Sequence, residues 1–258
     1  MIAENLVYDI LDRSIAGNRI TVDDATALYE TSDLNALSIA ATAVRDRHFP
    51  KDEVTFLIDR NINYTNVCIA GCTFCAFARV PGHAEGYWHD HDAIHHKIEE
   101  LVAAGGTGIL LQGGHNPAIP WEYYIDLLRG IKKRFGIHIH GFSPSEIDFF
   151  SWKFKKSVAD VIRELRDAGL DSIPGGGAEI LTDAVREKIS WGKVSADGWC
   201  AVMREAHLQG LRTSVTMMYG AAGGIADIVE HFDRARRLQD EARALVGPAD
   251  QDRRAEAR

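Results

Sequence analysis

The sequence predicts an α/β fold: a partial (β/α) barrel following an N-terminal helical segment. Three observations carry that expectation. From "VTFLIDRNINYTNVC" onward, short runs rich in β-branched residues alternate with amphipathic helical stretches, the rhythm of parallel strands joined by right-handed crossovers. The clusters "QGGH", "HGFS", "PGGGAE" and "MMYG" each fall at the C-terminal end of a predicted strand. That is where a (β/α) barrel gathers its active site, which favours a barrel over an open doubly wound sheet. Finally, 258 residues with 46% hydrophobic and 26% charged side chains suffice for one main core.

Taken in order, residues 1–52 form the helical segment. Thr21 suits an N-cap, with Asp23 and Asp24 in the first turn, and "DLNALSIAATAVRDRHF" carries apolar residues at helical spacing up to Pro50. The barrel spans 53–241. Its strands are expected near residues 54–58 and in "TGILLQGG", "GIHIHGFS", "LDSIPGG" and "LRTSVTMMYG". The intervening helices have readable ends: Pro120 and Gly136, Ser157 and Gly169, Ser195 and Gly210. Val158, Val161, Ile162 and Leu165 share one helical face. The histidines of "HDHDAIHH" read as a solvated helix face. The charged tail at 242–258, "GPADQDRRAEAR" included, lacks any strand pattern and is expected to be disordered.

A formal charge of −8 and a pI near 5.8 argue against nucleic acid as a partner, which would need clustered Lys and Arg. The opening "MIAENLVYDILDRS" has acidic residues where a signal peptide needs a basic start, and no run approaches the length of a membrane span. A cytoplasmic location is expected.

Three of the four cysteines, Cys68, Cys72 and Cys75, lie within one C-x3-C-x2-C loop. A structural zinc normally takes four closed ligands, and the fourth is missing from this loop. Cys200 sits inside a predicted helix beside Trp199 and reads as a small core residue. An iron–sulfur cube held by three cysteines leaves one iron open to another ligand, which suits chemistry at the cluster.

With Phe74 just before its last cysteine, this motif resembles that of the radical S-adenosylmethionine (SAM) superfamily. "NVCIAGCTFCAF", "LLQGGHNP", "HIHGFSPSEIDFF", "AGLDSIPGGGAEIL" and "GLRTSVTMMYG" are together similar to its menaquinone branch, in particular to the dehypoxanthine futalosine cyclase family. The resemblance covers roughly residues 50–240. It implies a 4Fe-4S cluster on Cys68, Cys72 and Cys75, SAM on its open iron, and a 5′-deoxyadenosyl radical. It also implies that the radical takes hydrogen from C4′ of the substrate ribose, that the carbon radical adds to a benzoate ring, and that loss of an electron and a proton leaves a spiro-cyclic product. Sister activities, aminofutalosine synthase or the deazaflavin (FO) synthase type, remain alternatives, as does a non-catalytic cluster- or SAM-binding protein. An electron donor such as a flavodoxin or ferredoxin and a small-molecule substrate are the implied partners.

The resemblance also assigns residues. Phe74, Gly113, Gly114, Ser143 and Glu179 are expected at the cofactor, with His115 standing where the superfamily has a glutamate after the two glycines. Those glycines also suit a tight turn, and Glu179 also suits a helix N-terminus. Arg79, Ser145 and Glu146 are candidate substrate contacts, although Arg79 suits a surface ion pair equally well and the serines could cap the next segment. His115, His140 and Tyr64 are candidates for the base that takes the final proton. Of the alternating "IHIH", one pair faces the barrel interior. The barrel reads as truncated, with five strands where the superfamily has six. Its open edge is expected to be covered by a partner or by self-association.

Overall fold

The computed structural model describes residues 4–49, 54–220 and 222–246. The chain divides into two compact units, one made of the described residues within Met1–Phe56 and Gly223–Asp233, the other of the described residues within Leu57–Ala222 and Arg234–Arg258. In the first, α1 (Glu4–Ile15), α2 (Val22–Glu30) and α3 (Leu34–His48) follow one another. Thr21 caps α2 as expected: its hydroxyl accepts from the Asp24 amide at 3.1 Å and the Asp24 carboxylate accepts from the Thr21 amide at 2.8 Å. Val7 and Leu11 of α1 and Ala40 of α3 form a small core.

The second unit is built on five parallel strands in the order β1-β2-β3-β4-β5: β1 (Asp59–Asn63), β2 (Gly108–Gln112), β3 (His138–Gly141), β4 (Ser172–Ile173) and β5 (Arg212–Thr213). Because this order never reverses, right-handed crossovers all fall on one face, and the sheet is an arc of barrel with no topological switch point. Between the strands lie α4 (His91–Ala103), α5 (Trp121–Phe135), α6 (Pro144–Phe154), α7 (Val158–Ala168), α8 (Asp183–Ile189) and α9 (Ala196–Leu208), and α10 (Ile225–Val246) follows β5. The predicted caps are present: Ser157 and Ser195 accept from the third residue onward, and Gly136 closes α5 at φ +64°. Outward-facing Ile62, Ile109, Leu111, Ile139 and Ile173 pack with the helices into one core around Tyr124, Phe150 and Trp199.

Register places the opposite, inward set in rows. Asn61, Leu110, His140, Ser172 and Arg212 are paired across all five strands, so their side chains share the inner face. Four strands lie where they were expected. The first does not: residues 54–58 are outside any strand, and Val54, Phe56 and Leu57 are each 80% exposed or more. The strand is the polar "DRNIN" that follows, because β1 is an edge whose inner positions line a hollow and only Ile62 is fully buried. Among the helices α8 was not foreseen, and α10 runs to Val246, so residues 242–246 of the expected tail are helical; the rest of that tail lies outside the described residues. Among the described residues no helix is long and apolar enough to cross a membrane.

Candidate active site

Beyond β1, residues 64–79 turn across the mouth of the arc as a closed loop. Cys68 N donates to Arg79 O and Arg79 N to Asn66 O, both at 2.9 Å. The Arg79 side chain extends the closure, donating to the carbonyls of Ala76 (3.2 Å) and Ala78 (3.1 Å) and to the Glu85 carboxylate (2.7 Å). Arg79 does not line the cavity; its guanidinium is engaged in latching the loop. From the other side the last residue of α8 and the segment after it brace the loop. Thr73 N donates to Ile189 O at 2.9 Å, and the Trp191 indole covers Gly71.

A cavity of about 310 Å³ opens beneath, with Cys68, Cys72, Cys75 and Phe74 on one wall and Gly113, Gly114 and His115 next to them. The two glycines are required by close approach. A Cβ at Gly113 would lie 2.4 Å from the Tyr64 ring, and one at Gly114 only 2.3 Å from Val67 O and 2.7 Å from Cys68 Cβ. The end of β2 thus lies directly against the cysteine loop. Cys68 Sγ accepts from the amides of Ala70 at 3.4 Å and His115 at 3.3 Å. Burial raises the Cys72 thiol and the Lys193 ammonium acts against that rise. Three sulfurs on one cavity wall, with backbone donors and a cation beside them, fit a cluster that takes three protein thiolates. Among the described residues no three Cys, His, Asp or Glu side chains converge on a single ion.

Glu179 and Lys193 line the same cavity, paired at 2.5 Å with both side chains largely buried, and Lys193 Nζ lies 5.3 Å from the centre of the Phe74 ring in the cysteine loop. Burial lowers Lys193, but Glu179 and Cys72 outweigh it and keep the ammonium charged. Glu179 has φ +49°, an uncommon value for a residue with a Cβ. It lies ahead of α8 rather than in its first turn, which removes the helix-terminus explanation for this carboxylate.

Ser143 and Glu146 form the capping box of α6, and Glu146 does more. Its buried carboxylate accepts from Tyr64 Oη at 2.7 Å, Gly113 N at 3.0 Å, and Ser143 N and Oγ at 2.8 Å each. Burial raises its pKa while these donors pull the other way. Glu146 borders the cavity, yet its oxygens are engaged in holding the end of β2. Tyr64 is fully buried among Tyr123, Tyr124 and Phe142. Burial and the Glu146 carboxylate push its hydroxyl well above the ordinary phenol value, and it does not line the cavity. The expectation of Tyr64 as a base is corrected on that ground.

His115 does line the cavity. Its ring stacks on Phe149 with centroids 4.9 Å apart, and Nε2 lies 3.1 Å from Ser145 Oγ. Burial, then Lys193, lowers its pKa to about 4, so it is neutral near pH 7 and a weak base. His140 is outside this lining, one inward position below Gln112 on the neighbouring strand.

Lys193, Gln112 and Arg186 were missed by sequence reasoning. Arg186 is buried behind "PGGGA", donating to Gly177 O at 2.9 Å, Ala178 O at 2.6 Å, and Val194 O. A basic residue on a short helix looks like any surface charge.

An arc of parallel strands with a three-cysteine loop after its first strand, over a cavity for a small molecule, defines a half-barrel class of cluster-binding protein. This chain belongs to the radical SAM superfamily, whose family model matches residues 62–235, and the superfamily uses a 4Fe-4S cluster and SAM. It is similar to the cyclic dehypoxanthine futalosine synthase of Halalkalibacterium halodurans, 44% identical over 92% of this chain and 64% of that protein. It is also similar to the aminodeoxyfutalosine synthase of Thermus thermophilus, 40% identical over 90% of this chain and 62% of that protein. This chain therefore spans less than two thirds of the length of these curated relatives. The crystal structure of a maturase of the FeFe-hydrogenase shares the fold, with a TM-score of 0.72 at 13% identity over 92% of this chain and 52% of that one.

Proposed function

We propose that this chain is the catalytic core of a cyclic dehypoxanthine futalosine synthase, an oxidoreductase-type cyclase of menaquinone biosynthesis. The observation that carries the chemistry is the cavity shared by the three cysteines, Gly113 and Gly114, and the Glu179–Lys193 pair. The choice of substrate is supported by the 44% identity to the Halalkalibacterium halodurans protein. Cys68, Cys72 and Cys75 would hold the cluster. When bound, cluster and SAM supply a 5′-deoxyadenosyl radical. The chain's own contribution is positioning and exclusion of water.

In this reading Glu179 accepts from ribose hydroxyls and Lys193 faces a carboxylate, an arrangement the observed ion pair holds ready. Phe74, Gly113, Gly114 and Ser143 border the cofactor. His115 and Ser145, bonded to each other, present a neutral polar edge to the substrate. An electron donor of the flavodoxin or ferredoxin type, a reducing cytoplasm and self-association over the β5 edge belong to the same proposal. The 40% identity to the Thermus thermophilus synthase supports a second reading, aminodeoxyfutalosine synthesis, which uses the same machinery on a different substrate.

Anaerobic reconstitution followed by an assay for 5′-deoxyadenosine with and without dehypoxanthine futalosine tests this. Cyclised product is expected. Cofactor cleavage without it would move the assignment to the sister activity, and no cleavage would leave a binding protein.

A further inference from the structure

Most polar side chains that line the cavity are engaged by the protein itself. Ser143 Oγ donates to Glu146, Ser145 is bonded to His115, and Glu179 is paired with Lys193. Asn66 is engaged as well: its Nδ2 donates to Glu85 O at 2.9 Å and its Oδ1 accepts from Tyr87 N at 2.8 Å. Three other amides differ. The side chains of Asn61, Asn63 and Gln112 line the same cavity, and none of their amide groups has a hydrogen-bond partner among the described residues. A primary amide carries two donor hydrogens and a carbonyl oxygen with two lone pairs, so each offers a set of directional bonds to a ligand.

The sheet itself places these groups. Asn63 and Gln112 are register partners at the ends of β1 and β2. Their neighbours Ile62 and Leu111 are fully buried in the outer core, which holds both amides on the inner face. Asn63 and Gln112 are half-buried and Asn61 is exposed. Gln112 reaches further than its strand. A Cβ added at Gly176, in the glycine loop after β4, would lie 2.6 Å from Gln112 Nε2, so the amide extends past β3 to rest against that loop. Gly176 does not have a positive φ, so Gln112 rather than the backbone is what bars a side chain there.

The ligand chemistry follows from what surrounds the amides. The carboxyl and ammonium groups that border the cavity are those of Glu146, Glu179 and Lys193, each already engaged. A carboxylate set on the amides would use only their N–H groups and would find no uncommitted counter-charge. A hydroxyl donates and accepts, as an amide does, and can satisfy both ends of it.

We propose that Gln112 and Asn63 are specificity-determining residues that bind hydroxyls of the substrate's ribose, with exposed Asn61 beside them and Gly176 leaving the space the Gln112 amide occupies. This rests on the cyclase reading above and deepens it: neutral amides on paired strands hold the sugar, a more exact placement than a loop would give.

Equilibrium binding tests this, measured by calorimetry on the reconstituted full chain with SAM and without reductant, so that nothing turns over. The probes are dehypoxanthine futalosine and its 2′- and 3′-deoxy analogues. The unsubstituted chain is expected to bind at least one deoxy analogue about 10-fold or more weaker than the parent, because an amide is then left unpaired. Gln112→Leu, similar in size, should weaken the parent about 10-fold and bind parent and that analogue within about twofold of each other. Cluster loading and SAM affinity should stay within about twofold, whereas a merely structural role would lower them together with substrate binding. Asn63→Ala should act in the same direction. Gly176→Ala should also weaken the parent, with its urea midpoint unchanged, since the atom it displaces ends a flexible side chain. In a Gln112→Ala background the same methyl should cost less than about twofold; a loss that persists there overturns the part given to Gly176. Gln112→Leu binding the parent as tightly as the unsubstituted chain does, or penalising the deoxy analogue equally, overturns the proposal. So does equal binding of the parent and both analogues by the unsubstituted chain. If that chain does not bind dehypoxanthine futalosine at all, the cyclase reading fails and the amide assignment with it, a failure visible before any variant is made.

Discussion

The strands at the front of the arc are joined by longer backbone ladders than those at the rear, where side chains take a larger share. β1 runs in register with β2 along Asp59–Asn63, and β2 with β3 along Gly108–Leu111, whereas β3 meets β4 only at His140 and Ser172. The cysteine loop and the Gly113–Gly114 segment hang from the laddered front. The loop carrying Glu179 hangs from the rear, where the ladder is brief. Arg186 holds its carbonyls from behind, Ser214 Oγ accepts from Gly175 N at 3.0 Å, and Thr216 Oγ1 donates to Gly175 O at 2.8 Å. Where a glycine-rich backbone cannot continue a ladder, buried polar side chains take over its hydrogen bonds, and a single substitution there removes several at once.

Four substitutions probe this contrast, in falling order of effect. Cys72→Ala removes a proposed cluster ligand, and iron and sulfide analysis after reconstitution should show loss of the cluster; full loading would refute the assignment. Arg186→Met leaves buried carbonyls without donors and is expected to destabilise the fold by about 3 kcal/mol in urea denaturation. Gly114→Ala forces a methyl against Val67 O and Cys68 Cβ. It should cost about 1–3 kcal/mol and lower cluster loading. If Gly114→Ala proves much the worse of the two, the rear is not the part that depends on side chains.

The smallest effect is expected at Glu164, away from the mouth. Lys156 Nζ at 2.8 Å and Trp121 Nε1 at 2.7 Å hold its carboxyl below the usual range, the lysine contributing most. The folded value is the lower one, so this stability is fully present above pH ~4.3, the ordinary glutamate value. It is lost as pH falls through the depressed value. The pair is partly exposed, so less than about 1 kcal/mol is at stake. Denaturation midpoints between pH 3 and 6 should show a shallower acid slope in Glu164→Gln.

Much of the barrel was legible because its signals are local. Ser157 and Ser195 cap helices by reaching three residues along the chain, and Gly136 ends one because only its own φ matters. The cysteine motif was legible for the same reason, since one loop carries all three thiolates. β1 was misplaced because its inner positions, Asn61 and Asn63, are polar residues that border the cavity rather than the apolar core. The apolar run just before it, residues 54–58, looked more like a strand than the strand does. Arg79 was weighed between a substrate carboxylate and a surface ion pair, and the structure shows the pair, with Glu85; Tyr64, a candidate base by residue type, lies in the aromatic core.

The sequence by itself determined the parallel α/β rhythm, the helix ends and the cysteine loop, all set by interactions within about one turn or one loop of chain. Only the tertiary structure decided that Lys193 pairs with Glu179 in the cavity the cysteines line, that Arg186 lies buried behind the glycine loop, and that Ser172 Oγ lies 2.7 Å from both His138 Nε2 and His140 Nδ1. Each joins residues on different elements, brought together by burial of the common core, and no spacing along the chain encodes which polar groups that burial will leave facing one another.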